Sequence, residues 1–156
     1  MLSENLPIYN IVFELSKTSF SYAKNFERPS RIMVGERMVS DSLEMLSCVL
    51  NANSNLAGER VRHLNKYRVL LEEMKTLARF ALESKILSNE QASKLAIHLT
   101  SVGRQLSGWR NSTIEKMKNS GLSEELTALN ADIADTAEMV NGLQQFEGDI
   151  LNGKYK

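Results

Sequence analysis

The segment Val102-Gly103-Arg104-Gln105-Leu106-Ser107-Gly108-Trp109-Arg110 lies in a run of helical periodicity, yet it holds two glycines, a serine and the only tryptophan of the chain. Upstream, Ala92, Leu95, Ala96 and Leu99 lead into Val102, Leu106 and Trp109 by steps of three and four, the period of an amphipathic helix. Glycine inside a helix costs about 1 kcal/mol relative to alanine. Gly103 and Gly108 therefore point to close approach: another element packs where the side chains have been removed. Trp109 adds a large apolar anchor between Arg104 and Arg110, residue types enriched at binding hot spots. Trp109 either fills the end of its own bundle or joins an interface between copies of the chain.

The same spacing recurs outward from this helix. A first block, Glu4 to Asn25, puts Ile8, Val12, Leu15, Ser19 and Tyr22 on one stripe, with Tyr9, Phe13, Phe20 and Ala23 beside it. Pro29 disfavours helix at Arg28 and suits the first turn of the next helix. That second block runs from Ser30 to Asn51 through Met33, Val34, Met38, Val39, Leu43, Leu46, Val49 and Leu50, and stops at the polar cluster Asn51-Ala52-Asn53-Ser54-Asn55. The third, Leu56 to Lys85, would span about 45 Å. Ser88-Asn89-Glu90-Gln91 opens the fourth as a capping box, in which the serine hydroxyl and the glutamine amide satisfy free backbone groups.

Short connections make consecutive helices antiparallel. The expected fold is all-α: an up-down antiparallel four-helix bundle over residues 1–118, with an additional C-terminal helix or extension over 119–156. In that extension Leu122, Leu126, Leu129, Ile133, Thr136, Val140 and Leu143 step by four and three, a heptad-like seam that Ile150 extends. Gly142 and Gly148 weaken its far end, and fraying is expected after about Gly148.

The 156 residues carry 19 Lys and Arg against 19 Asp and Glu, but the balance is uneven along the chain. Residues 1–118 hold 17 basic and 12 acidic residues, a net of +5, and residues 119–156 hold 2 and 7, a net of −5. Such asymmetry bears on partners rather than on fold. The single Cys48 provides no disulfide framework and fits a reducing compartment. With no signal-like N-terminus and no run approaching the ~20 apolar residues of a membrane span, a cytoplasmic, membrane-free protein is expected.

Catalytic chemistry is hard to find. His63, His98 and Cys48 are scattered over different helices and form no metal-ligand spacing. Glu72 and Glu73 are adjacent and point to different helix faces, which suits solvation better than acid–base work. Phosphate loops, nucleotide fingerprints and nucleophile elbows are missing from the sequence. The expectation is a non-enzyme with no catalytic residues, metal or cofactor. Arg60, Arg62, Lys66, Arg68 and Arg79 on helix three and Arg104 and Arg110 on helix four are the candidate contacts to nucleic-acid phosphate or to a protein partner. Glu59, Glu72, Glu73 and Glu83 are placed to pair with many of them instead.

The order of landmarks resembles the accessory variability determinant (Avd) proteins of diversity-generating retroelements, and their four-helix relatives encoded in bacterial ribosomal RNA intervening sequences. The landmarks are Phe26-Glu27-Arg28-Pro29, Gly35-Glu36-Arg37, Leu77-Ala78-Arg79-Phe80-Ala81, Leu87-Ser88-Asn89-Glu90-Gln91, and a segment from Gly103 to Trp109 similar to the family's Gly-Arg-x-Leu-Gly-Gly-Trp signature. They cover about residues 5–112. The resemblance implies a bacterial or phage accessory protein that assembles as a homopentamer. It further implies that the protein binds a retroelement reverse transcriptase and its template RNA, and supports mutagenic cDNA synthesis and retrohoming. The alternative it leaves is a structural or scaffolding oligomer of the intervening-sequence type. Ser107 replaces the first glycine of the paired glycines, and the acidic extension has no counterpart in the short family members.

Overall fold

The computed structural model describes residues 3–129 and 133–156, with the side chains of 133–135 set aside. Four long helices carry the fold: α1 (Pro7–Ala23), α3 (Glu36–Ser54), α4 (Ala57–Glu83) and α5 (Asn89–Asn119). A short α2 (Arg28–Ser30) and a π-helical turn (Arg31–Gly35) run straight into α3. A single turn of 3-10 helix (Ser3–Asn5) precedes α1, and α6 (Ser123–Ala128) and α7 (Ile133–Leu151) follow α5. Among the described residues there is no strand. Consecutive long helices pack on one another, and α1 closes the ring on α5. The all-α class is as the sequence leads one to expect.

The apolar stripes fill the centre. Val12, Leu15, Met38, Met45, Leu64, Leu71, Met74, Leu95, Leu99 and Leu106 are fully shielded. Phe13 and Phe20, beside the α1 stripe, remain 44% and 57% exposed. Ser88 and Gln91 form the expected capping box, each side chain bonded to the other's backbone N–H at 3.1 Å. A side chain at Gly35 would place its Cβ 3.0 Å from the Ala23 Cβ and 3.2 Å from the Phe26 ring, so the π turn lets the end of α1 come in close.

Three expectations change. The polar cluster Asn51–Asn55 does not stop α3 at Asn51: the helix continues through Ser54 because Ala52 is buried in the core. Ser54 and Asn55 bond back to Leu50 and Asn51 carbonyls instead of forming a turn. The extension does not fray after Gly148. Ile150 is buried, α7 reaches Leu151, and Tyr155 meets Phe146 edge-on at 6.1 Å.

The continuous heptad seam is also divided. Gly121, at φ +78, turns the chain out of α5. Leu126, with Leu122 and Leu129 around it, then joins Val61, Ile114 and Met117 in a small cluster. Thr136, Met139, Leu143, Phe146 and Ile150 of α7 are buried along α5, the apolar four within the main core; the expected seam position Ile133 has its side chain outside the described set. The extension thus supplies a fifth long helix.

Candidate partner-binding surfaces

The glycine–tryptophan segment divides by position. Gly103 is buried against α7: a Cβ there would sit 2.6 Å from Leu143 Cδ1, with Leu71 and Met139 next nearest. The close approach expected at this glycine is made by the chain's own C-terminal helix. Gly108 differs, since nothing lies within 4 Å of a Cβ built on it and it faces solvent. Within this chain Gly108 therefore serves no close packing. Ser107 donates to Thr136 Oγ1 at 3.0 Å, Thr136 donates to Asn111 Oδ1 at 3.3 Å, and Asn111 donates back to Ser107 Oγ at 3.4 Å.

Trp109 is half-buried on the core, and the Arg60 guanidinium lies 5.7 Å from its ring centroid. Arg60 also donates from Nε to the Ala52 carbonyl at 2.9 Å and from Nη2 to the Asn55 carbonyl at 3.3 Å. These carbonyls end α3, where helical partners run out. Arg60 is thus occupied in closing α3 and holding Trp109.

Arg110 corrects its expected role. It is 1% exposed, and its Nε donates to Asn65 Oδ1 at 2.9 Å, while Asn65 donates to the Leu129 carbonyl at 3.0 Å. A guanidinium buried between α4, α5 and the end of α6 is not presented to a partner. Four further cations are at least partly exposed but engaged: Arg62 with Glu59 at 3.6 Å, Lys66 with Glu44 at 3.2 Å, Arg68 with Glu72 at 3.7 Å and Arg79 with Glu83 at 3.0 Å. They do not form one patch. Arg62 and Lys66 share a stripe of α4, whereas Arg79 joins Lys75, Lys154 and Tyr155 around a groove of about 390 Å³ between α4 and α7. Arg104 is exposed on α5, with no ion pair among the described residues.

The model of the bAvd-like family matches residues 10–113, which run from α1 to near the end of α5. The chain belongs to the bAvd-like family. That membership connects it with Avd-type helical accessory proteins, and α6 and α7 of this bAvd-like chain lie outside the matched span. No curated protein and no solved structure matches it.

Other sites in this bAvd-like chain have structural explanations. Cys48 is buried, which pushes its thiol up to about 11 and keeps it protonated at neutral pH, against a smaller opposing pull from Lys66. Burial, with help from Lys94, lowers the His98 pKa. Among the described residues no three His, Cys, Asp or Glu side chains are grouped to hold a metal ion, and no helix is long and apolar enough to cross a membrane. Two apolar grooves escaped the sequence reading. One, of about 790 Å³, lies between α1 and α3 beside Phe20 and Leu43; the other, of about 510 Å³, lies between the π turn and α4 beside Met33 and Phe80. Helical periodicity puts Met33 and Leu43 on the apolar stripe of the second block, and only the packing shows them left outside.

Proposed function

We propose that this chain is a non-catalytic accessory subunit of a diversity-generating retroelement, binding the reverse transcriptase and template RNA during mutagenic cDNA synthesis and retrohoming. The observation that carries this reading is the family match over residues 10–113, which takes in all four long helices of the ring. The chain acts in the cytoplasm of a bacterial or phage-infected cell, without a cofactor, as a homopentamer. Exposed Ile32, Met33 and Phe80 supply apolar contact area for assembly. Arg62, Lys66, Arg68, Arg79 and Arg104 are the available partner contacts. Their present ion pairs are solvent-exposed in the main and worth at most about 1 kcal/mol each, so an incoming phosphate or carboxylate can exchange with glutamate.

Co-expression of the tagged chain with the reverse transcriptase and template RNA tests the role. Recovery of both partners is expected, with salt-dependent RNA retention lost in Arg62→Glu/Lys66→Glu/Arg79→Glu. Failure to recover either partner sinks the reading, and wild-type retention in the triple variant removes these residues from it. Sedimentation mass tests the pentamer, which a monomer at micromolar concentration excludes.

A scaffolding oligomer of the intervening-sequence type is the second reading. It is favoured by the glutamate partners that neutralise four of the candidate cations. A gene neighbourhood lacking a reverse transcriptase and a variable repeat would select it.

A further inference from the structure

The outer side of α1 carries a ladder of which only Tyr9 packs partly against the core. Tyr9, Phe13, Lys17, Phe20 and Lys24 follow by steps of four, four, three and four, which places all five on one stripe. The Tyr9 and Phe13 rings stack with centroids 6.1 Å apart and planes 17° from parallel. Lys17 Nζ lies 6.0 Å from the Phe13 centroid, and Lys24 Nζ lies 6.0 Å from that of Phe20. Beside Phe20 the α1–α3 groove is lined by Ala23, Val39 and Leu43, with Lys24 and Arg31 also lining it.

Charge is biased toward anions here, though not uniformly. Glu36 and Glu44 line the same groove, but Glu44 is taken by Lys66 at 3.2 Å; Glu14 is taken by Lys17 at 3.3 Å. Lys24 and Arg31 have no ion pair among the described residues. Alternation of ring faces and ammonium groups suits unpaired nucleotides, whose bases stack on aromatic rings while phosphates meet the cations. The stretch from Phe13 to Phe20 spans about 10 Å along the helix axis. Splayed bases of a single strand can reach such separated rings, whereas bases stacked within a duplex cannot.

We propose that the Tyr9–Phe13–Phe20 ladder of α1, with Lys17, Lys24 and Arg31, is a stacking platform for single-stranded nucleic acid. The inference rests on the nucleic-acid reading above and locates a contact on α1 that the candidate arginines of α4 and α5 do not supply. Anisotropy of a labelled 12-nucleotide oligouridylate, titrated with the full chain, tests it. Phe13→Ala/Phe20→Ala is expected to weaken binding at least about tenfold, with unfolding temperature and sedimentation mass unchanged, and Phe13→Trp/Phe20→Trp is expected to retain it. A duplex hairpin should compete poorly. Wild-type affinity in the double alanine variant overturns the platform while leaving the broader reading intact. A change of sedimentation mass accompanying the loss overturns it too, by assigning the face to contact between copies. Absence of binding to any RNA by the wild-type chain overturns both.

Discussion

Ser107 donates a 3.0 Å hydrogen bond to Thr136, joining α5 to α7. Ser107 stands where the signature that this segment resembles has a glycine, and Thr136 lies beyond the matched span. The two departures from the pattern are therefore one feature: the serine supplies a polar contact for the added helix. Asn111 closes the triangle, so each hydroxyl both donates and accepts. A double-mutant cycle of Ser107→Ala and Thr136→Val should give a coupling of about 0.5–1.5 kcal/mol in urea unfolding. Additive losses would show that the hydroxyls do not support one another.

The two glycines of the same segment should respond in opposite directions. At Gly108 an added methyl meets open space, so Gly108→Ala should stabilise the monomer unit by about 0.5–1 kcal/mol through helix propensity. At Gly103 the methyl meets Leu143 Cδ1 at 2.6 Å. Leu143 or α7 must shift, at about 1–3 kcal/mol, which outweighs the propensity gain. Thermal unfolding should therefore rise for Gly108→Ala and fall for Gly103→Ala, and a shared direction would contradict this packing.

Arg110 and Arg62 make a matching contrast among the cations. Arg110→Ala removes a buried charged donor from Asn65 and leaves space between α4 and α5, so a loss of about 2–4 kcal/mol is expected. Arg62, 67% exposed at its side chain and paired to Glu59 at 3.6 Å, should cost no more than about 0.5 kcal/mol when changed to alanine. Urea midpoints measured side by side decide the comparison. An Arg110→Ala midpoint equal to that of Arg62→Ala would remove the buried guanidinium from the stability argument.

The helices and their order were legible because apolar residues at steps of three and four must face a common core, and Ser88 with Gln91 marks a helix start by chemistry alone. Arg110 was not legible as an interior group: its partner Asn65 lies 45 residues away, and no local pattern announces that meeting. Gly103 announced a close approach but not its source, which proved to be Leu143. Periodicity also overcounted the core. Phe13 and Phe20 occupy positions beside the buried stripe of α1, and periodicity alone does not show whether a neighbouring helix covers such flanking residues.

Asp41 carries a pH signature of its own. Burial raises its carboxyl above the ordinary value of 3.8, partly opposed by Arg37 and assisted by Glu44, and its Oδ2 is shielded without a hydrogen-bond partner. The folded chain consequently holds this proton to higher pH than the unfolded chain does. Between the two pKa values the native state binds more protons, so the Asp41 contribution to stability falls as pH rises through about 3.8 and levels off above the folded pKa. Asp41→Asn removes the titration. Its stability relative to wild type should therefore increase from pH 3 upward and become constant near neutrality, as measured by urea unfolding at intervals of pH. Curves that stay parallel from pH 3 to 7 would show that the Asp41 carboxyl titrates alike in both states.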